Sequence, residues 1–140
     1  MAITERDLEL FNDSLDRCVG RPEFLESFYD TLIAASPAVA AKFANTSMRR
    51  QRRALKASLY AALLAADRNR PALEHLDRLA VIHHQIDIQP AMYDLWLDCL
   101  IRAARPLSPP FDDEVERAWR NVLGVAIERM KGSVGGEGFS

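Results

Sequence analysis

Histidine occurs three times in the 140-residue chain, at 75, 83 and 84, all within one short segment. Adjacent residues of a regular helix point about 100° apart, so His83 and His84 cannot both reach one ligand. His83 lies seven residues beyond Leu76 and four beyond Leu79, on an apolar stripe, whereas His84 lies seven beyond Asp77. His83 is therefore expected to face inward, with His84 and His75 on the surface. Two chemistries are open to an inward histidine: a core residue bonded to a backbone carbonyl, or an axial ligand to a buried metal cofactor. A mononuclear zinc site is poorly supported, because no second histidine or cysteine stands at ligand spacing.

A second chemical feature is the run Met48-Arg-Arg-Gln-Arg-Arg53, with Lys56 one turn on. Such a helix could track phosphates. The chain as a whole, however, carries 18 basic and 20 acidic residues, a net charge of −2, and no aromatics interleave with the arginines. A solvated helix face is expected there, and no nucleic acid partner. Cys18 and Cys99 are far apart, which indicates neither a disulfide framework nor a zinc finger, and both read as buried thiols in a reducing, cytoplasmic setting.

The elements that must position these residues are punctuated by prolines at 22, 37, 71, 90, 106, 109 and 110, since proline opens helices but breaks their interiors. Between them the apolar period is near 3.6 residues, without an Asn-Gly or Asp-Gly hairpin signal. The chain reads as all-α. Thr4 and Asp7 form a capping pattern ahead of Leu8, Phe11, Leu15 and Cys18. Phe24, Leu25, Phe28 and Leu32 share the next stripe; Pro37 to Phe43 is short; Met48 to Ala66 turns Leu55, Leu59, Ala62 and Leu63 inward. Pro71 opens the helix of His83, Pro90 that of Tyr93, Leu97, Leu100, Ile101 and Ala104, and the last begins near Phe111 with Val115, Trp119, Val122, Ala126 and Met130 inward. Trp96 and Trp119 read as core or interface packing. Four glycines follow Lys131, so residues 132–140 are expected to be a flexible tail behind a domain spanning 1–131.

At 15.8 kDa and 49% apolar residues the chain is sized for one domain with one proper core. No secretory signal is expected at its start, and no membrane span: its longest uncharged stretch, from Thr31 to Ala41, contains Pro37. A lone inward histidine does suffice for one cofactor, haem, whose porphyrin supplies the other four in-plane positions.

The run Phe28-Tyr29-Asp30, then Pro37 and Phe43, then Gln51 and Leu55, resembles the distal half of the bacterial single-domain haemoglobins and of the globin domain of flavohaemoglobins. The proximal half is similar in His-His-Gln-Ile-Asp-Ile-Gln-Pro-Ala-Met-Tyr, residues 83 to 93, and the likeness extends through Ala118-Trp119. The resemblance implies a globin fold of about seven helices around a buried haem b pocket. It implies that His83 coordinates the iron, with Ile88 and Tyr93 beside it. Phe43 would stack on the haem, Tyr29 would direct its hydroxyl at the distal ligand site, Gln51 would be a second donor, and Leu55 would pack over the iron. Arg50 and Arg52 are alternatives to Gln51 at the distal entrance, because the corner from Ala44 to Arg50 is shorter than in flavohaemoglobins. The glutamate that bonds the proximal pair in those proteins has no counterpart: its position falls near Val134, and Glu128 is too early. His83 is accordingly expected to bond a backbone carbonyl on its far side.

The function implied is reversible binding of dioxygen or another diatomic gas. Nitric oxide dioxygenation would need a separate reductase, since a fused one has no room. The rival is a haem-free globin-like signalling or scaffold domain, and apolar faces on the last two helices could make a homodimer.

Overall fold

In the computed structural model, which describes residues 3–139 and the side chains of 3–132, the chain forms seven α-helices and no strand among the described residues. They are α1 (Glu5–Val19), α2 (Glu23–Ala35), α3 (Pro37–Lys42), α4 (Met48–Ala66), α5 (Arg70–Gln85), α6 (Pro90–Ala104) and α7 (Asp113–Phe139), with one 3₁₀ turn (Arg105–Leu107) after α6.

Helix starts follow from side chains that accept otherwise orphaned backbone N–H groups. Thr4 and Asp7 form the expected capping box, in which Asp7 N–H donates to Thr4 Oγ1 at 3.0 Å and Thr4 N–H to Asp7 Oδ2 at 3.2 Å. Ser36, Ser47 and Asn69 accept from Val39, Arg50 and Ala72 and so fix the starts of α3, α4 and α5. Asp112, expected inside the last helix, instead sits before it and accepts from Val115 N–H.

The ends of α4 and α5 were less legible. Both close in Schellman turns whose left-handed residue is not glycine: Arg68, at φ 63°, and Asp87, at φ 61°. After α5, Asp87 N–H donates to His84 O and Ile88 N–H to His83 O, at 3.0 and 2.9 Å. That second bond ties His83 and Ile88, five residues apart, into one rigid corner.

The core has two ends joined by α7. At one end Trp119 is fully buried, with Phe11 edge-on at 4.9 Å, Phe24 at 6.2 Å and Phe111 tilted at 6.0 Å. Its indole N–H donates to Ser14 Oγ at 3.0 Å, and Ser14 is bonded in turn to the buried Ser108 hydroxyl at 2.7 Å. A buried donor without such a partner costs about 1–3 kcal/mol, which is why two serines stand among aromatic rings. One turn and more along α7, Leu123, Ala126, Ile127 and Met130 leave this packed end and become the wall of a cavity.

The backbone of α7 continues past Lys131, where the sequence placed the helix end, to Phe139. The expected tail lies outside the residues whose side chains are described. No helix among the described residues is long and apolar enough to cross a membrane.

Candidate functional site

The cavity measures about 300 Å³, within the ~300–1,000 Å³ of small-molecule sites. Every sequence-predicted site residue lines it: Tyr29 from α2, Phe43 from the end of α3, Gln51 and Leu55 from α4, His83 from α5, Ile88 from the following corner and Tyr93 from α6. Its walls are otherwise mostly aliphatic.

On one wall stands a hydroxyl–amide pair. The Tyr29 ring, 4% exposed, packs edge-on against Phe28 at 4.8 Å and Phe43 at 5.6 Å. Gln51 Nε2–H donates to its hydroxyl oxygen at 3.1 Å. With the oxygen accepting, the phenolic proton is left for another acceptor. Burial pushes the Tyr29 hydroxyl up to about 12, partly offset by the Gln51 bond and by the Arg52 charge, so the group is a protonated donor at neutral pH. Gln51 rather than an arginine fills this position: Arg50 is exposed and does not line the cavity, and Arg52 lines a separate concavity.

The other wall carries the second pair. His83 Nδ1 lies 3.2 Å from the Tyr93 hydroxyl, with the rings tilted and their centroids 5.9 Å apart. This corrects the expectation of a backbone carbonyl: the α5 carbonyls nearby are taken by the Schellman turn, and Tyr93 approaches from α6 instead. Glu128 makes no hydrogen bond to the pair; it is exposed and stands as an ion pair with Lys131 of the same helix. Burial holds the His83 pKa below its usual 6.5 and raises that of Tyr93, so the imidazole is neutral beside a protonated phenol. Its Nε2 has no hydrogen-bond partner among the described residues. In the tautomer where Nδ1–H donates to Tyr93 Oη, Nε2 keeps a lone pair, the state required of a metal ligand.

No group of three His, Cys, Asp or Glu that could hold a bare ion occurs among the described residues. A single nitrogen donor in a broad apolar cavity suits a metal that brings its own ligand set. That fit extends to the mouth, where Ile82 and Ile86 line the cavity yet are 52% and 45% exposed, edges that a flat apolar ligand would cover. Lys42 and Thr46 also stand on the lining, and Lys42 has no carboxylate partner among the described residues.

Several lining residues escaped the sequence. Ile82 and Ile86 flank His83 by one and three positions, and helical spacing could have found Ile86. Trp96, read as packing, lines the cavity three residues beyond Tyr93 and meets Phe28 edge-on at 6.1 Å. His75, expected at the surface, is half-buried and bonded to Ser58 Oγ at 3.2 Å, and Ser58 is itself on the cavity wall. Only His84 is exposed as expected.

An all-helical chain whose apolar cavity is lined by His83, Tyr29 and Tyr93 has the elements of a globin. The family model described as Globin matches residues 26–130, and the chain belongs to the globin family. Membership carries the family's general property, haem-based binding of a gas. The chain is similar over 91% of its length, at 32% identity and a TM-score of 0.85, to a crystal structure of a Pseudomonas aeruginosa PAO1 protein described as structurally highly homologous to a human hemoglobin. The match covers 97% of that protein. No curated protein sequence matches the chain.

The His83 shift has a consequence for the haem-free chain. Because the folded-state pKa is depressed, the unfolded state takes up the proton first. Stability contributed by neutral His83 is complete above pH 6.5 and is lost as the pH falls through the lower folded value. The stability of wild type against urea should therefore fall as the pH drops below 6.5, and His83→Leu should show a shallower decline; parallel pH profiles would contradict this.

Proposed function

We propose that the chain binds haem b through His83 Nε2 and reversibly binds dioxygen or another diatomic gas on the opposite face, beside Tyr29. The observation that carries this reading is that one apolar cavity is lined both by a neutral imidazole with a free nitrogen and by a buried phenol with a free proton. Haem, when bound, supplies the metal centre at which a diatomic ligand is taken up.

The chain's own residues do the rest. Tyr93 orients the imidazole, and its hydroxyl can accept from Nδ1–H, which leaves Nε2 its lone pair; because a neutral phenol, not a carboxylate, holds Nδ1, the histidine gains little added electron-donating strength. Ile88, anchored by its backbone bond to His83 O, and Leu55 are apolar lining that would keep water from a bound haem. Phe43 offers an aromatic face at the corner. Lys42 and Thr46, both on the lining, would supply a cation and a hydroxyl for the cofactor's carboxylates. Gln51 holds Tyr29 so that its proton points away from Gln51, and a buried donor aimed at a partly charged ligand atom is worth more than water at that point.

A haem-free scaffold would need side chains filling the centre, and the open cavity of about 300 Å³ speaks against it. Nitric oxide dioxygenation with electrons from a separate reductase, and residence in the cytoplasm with the free thiols Cys18 and Cys99, belong to the same reading.

Two measurements test it. Haemin titrated into the purified chain should give one saturable Soret band, and the loaded protein should unfold at higher temperature, by the equivalent of about 2.7 kcal/mol at a hundredfold excess over Kd; no band, or no shift, would sink the reading. Tyr29→Phe removes a hydrogen bond worth about 1.5–3 kcal/mol when one partner is charged. Dioxygen should leave the ferrous loaded variant roughly 10- to 100-fold faster in stopped flow, and an unchanged rate would remove Tyr29 from the ligand site.

A further inference from the structure

A second concavity, of about 340 Å³, opens where the turn between α1 and α2 meets α4. Arg21 and Pro22 line it from the turn, and Arg52, Arg53 and Lys56 from α4, over an apolar floor that includes Val19 and Leu25. Four cations thus converge from segments about thirty residues apart in the chain. The carboxylates near them are Glu26, on the lining, and Glu23, bonded to Arg21 at 3.1 Å. Arg52, Arg53 and Lys56 form no ion pair among the described residues. Counting both glutamates, the concavity keeps a local charge of about +2 in a chain whose net charge is −2.

We propose that this concavity is a binding site for a small polyanion carrying at least two phosphate groups. Arginine presents planar donor forks that match phosphate oxygens two at a time, and Lys56 adds a mobile point charge. Size and shape favour a compact molecule over a nucleic acid strand. The cations ring a hollow rather than following a line, and Arg49 and Arg50, the part of the arginine run that would extend such a line, are exposed outside it. The site is distinct from the cavity of His83 and Tyr29 but adjoins it, since Arg52 follows Gln51 and its charge acts on the Tyr29 hydroxyl.

The test is calorimetric titration of the full chain with inorganic tripolyphosphate at low salt. One saturable site per chain is expected, weakened as salt rises, and at least tenfold weaker in the double variant Arg52→Gln/Lys56→Gln. The variant Arg49→Gln/Arg50→Gln removes the same charge outside the concavity and should bind within about twofold of wild type. Unchanged melting curves of both variants would confirm that folding is intact. The proposal is overturned if tripolyphosphate does not bind, if both variants lose affinity equally, as a diffuse field would require, or if a single-stranded oligonucleotide binds and tripolyphosphate does not.

Discussion

The constraint on which the rest of the structure depends is that seven helices must pack closely and still leave a hole. Sealed and dry, a void of about 300 Å³ would cost about 7 kcal/mol at roughly 24 cal/mol per Å³, against a total stability of about 5–15 kcal/mol for a domain; this one opens at Ile82 and Ile86, which lessens that cost. The chain meets this by dividing its core. Trp119, with three aromatic rings about it and a two-serine network under its N–H, makes one end dense. Further along the same helix, Leu123, Ala126, Ile127 and Met130 face the cavity. The packed end holds the helices in place while the other end stays open, and a ligand that fills the opening recovers contacts the apolar walls otherwise lack.

Within that opening, two hydrogen-bonded pairs are built on the same logic. In each, one side chain leaves a reactive atom free and another lining side chain satisfies the rest of its polar group: Gln51 for Tyr29, Tyr93 for His83. Each pair bridges two helices, α2 with α4 and α5 with α6, so the positions of its reactive atoms follow the packing of the bundle rather than a loop. The corner after α5 adds a third restraint, because the carbonyl of His83 itself accepts from Ile88. The left-handed Asp87 that permits this turn is a modest local cost for holding His83 and Ile88 on adjacent parts of one wall.

Much of this was legible in the sequence, for physical reasons that differ by residue. Proline positions and capping side chains marked the helix starts, since both act within one turn. The inward direction of His83 followed from its distance to Leu76 and Leu79, and the grouping of Tyr29, Phe43 and Gln51 about one cavity came from a family resemblance that spacing alone would not have supplied. What escaped was tertiary. The hydroxyl of Tyr93 meets His83 across the corner between α5 and α6, with α6 itself held against α2 and α7; Ser58 and His75 join from different helices. The ends of α4 and α5 lacked the glycine that usually marks such turns. Ile82 and Ile86 look like surface residues because they are partly exposed, and only the cavity mouth gives that exposure a meaning.

The central claim, that His83 is the side chain the site is built to present to a haem, is tested most directly by replacing its ring from solution. The ferric and ferrous spectra of haem-loaded wild type should be lost or altered in His83→Gly, and free imidazole, which fits the space the side chain vacates, should restore them. A His83→Gly spectrum identical to wild type without imidazole would contradict the account.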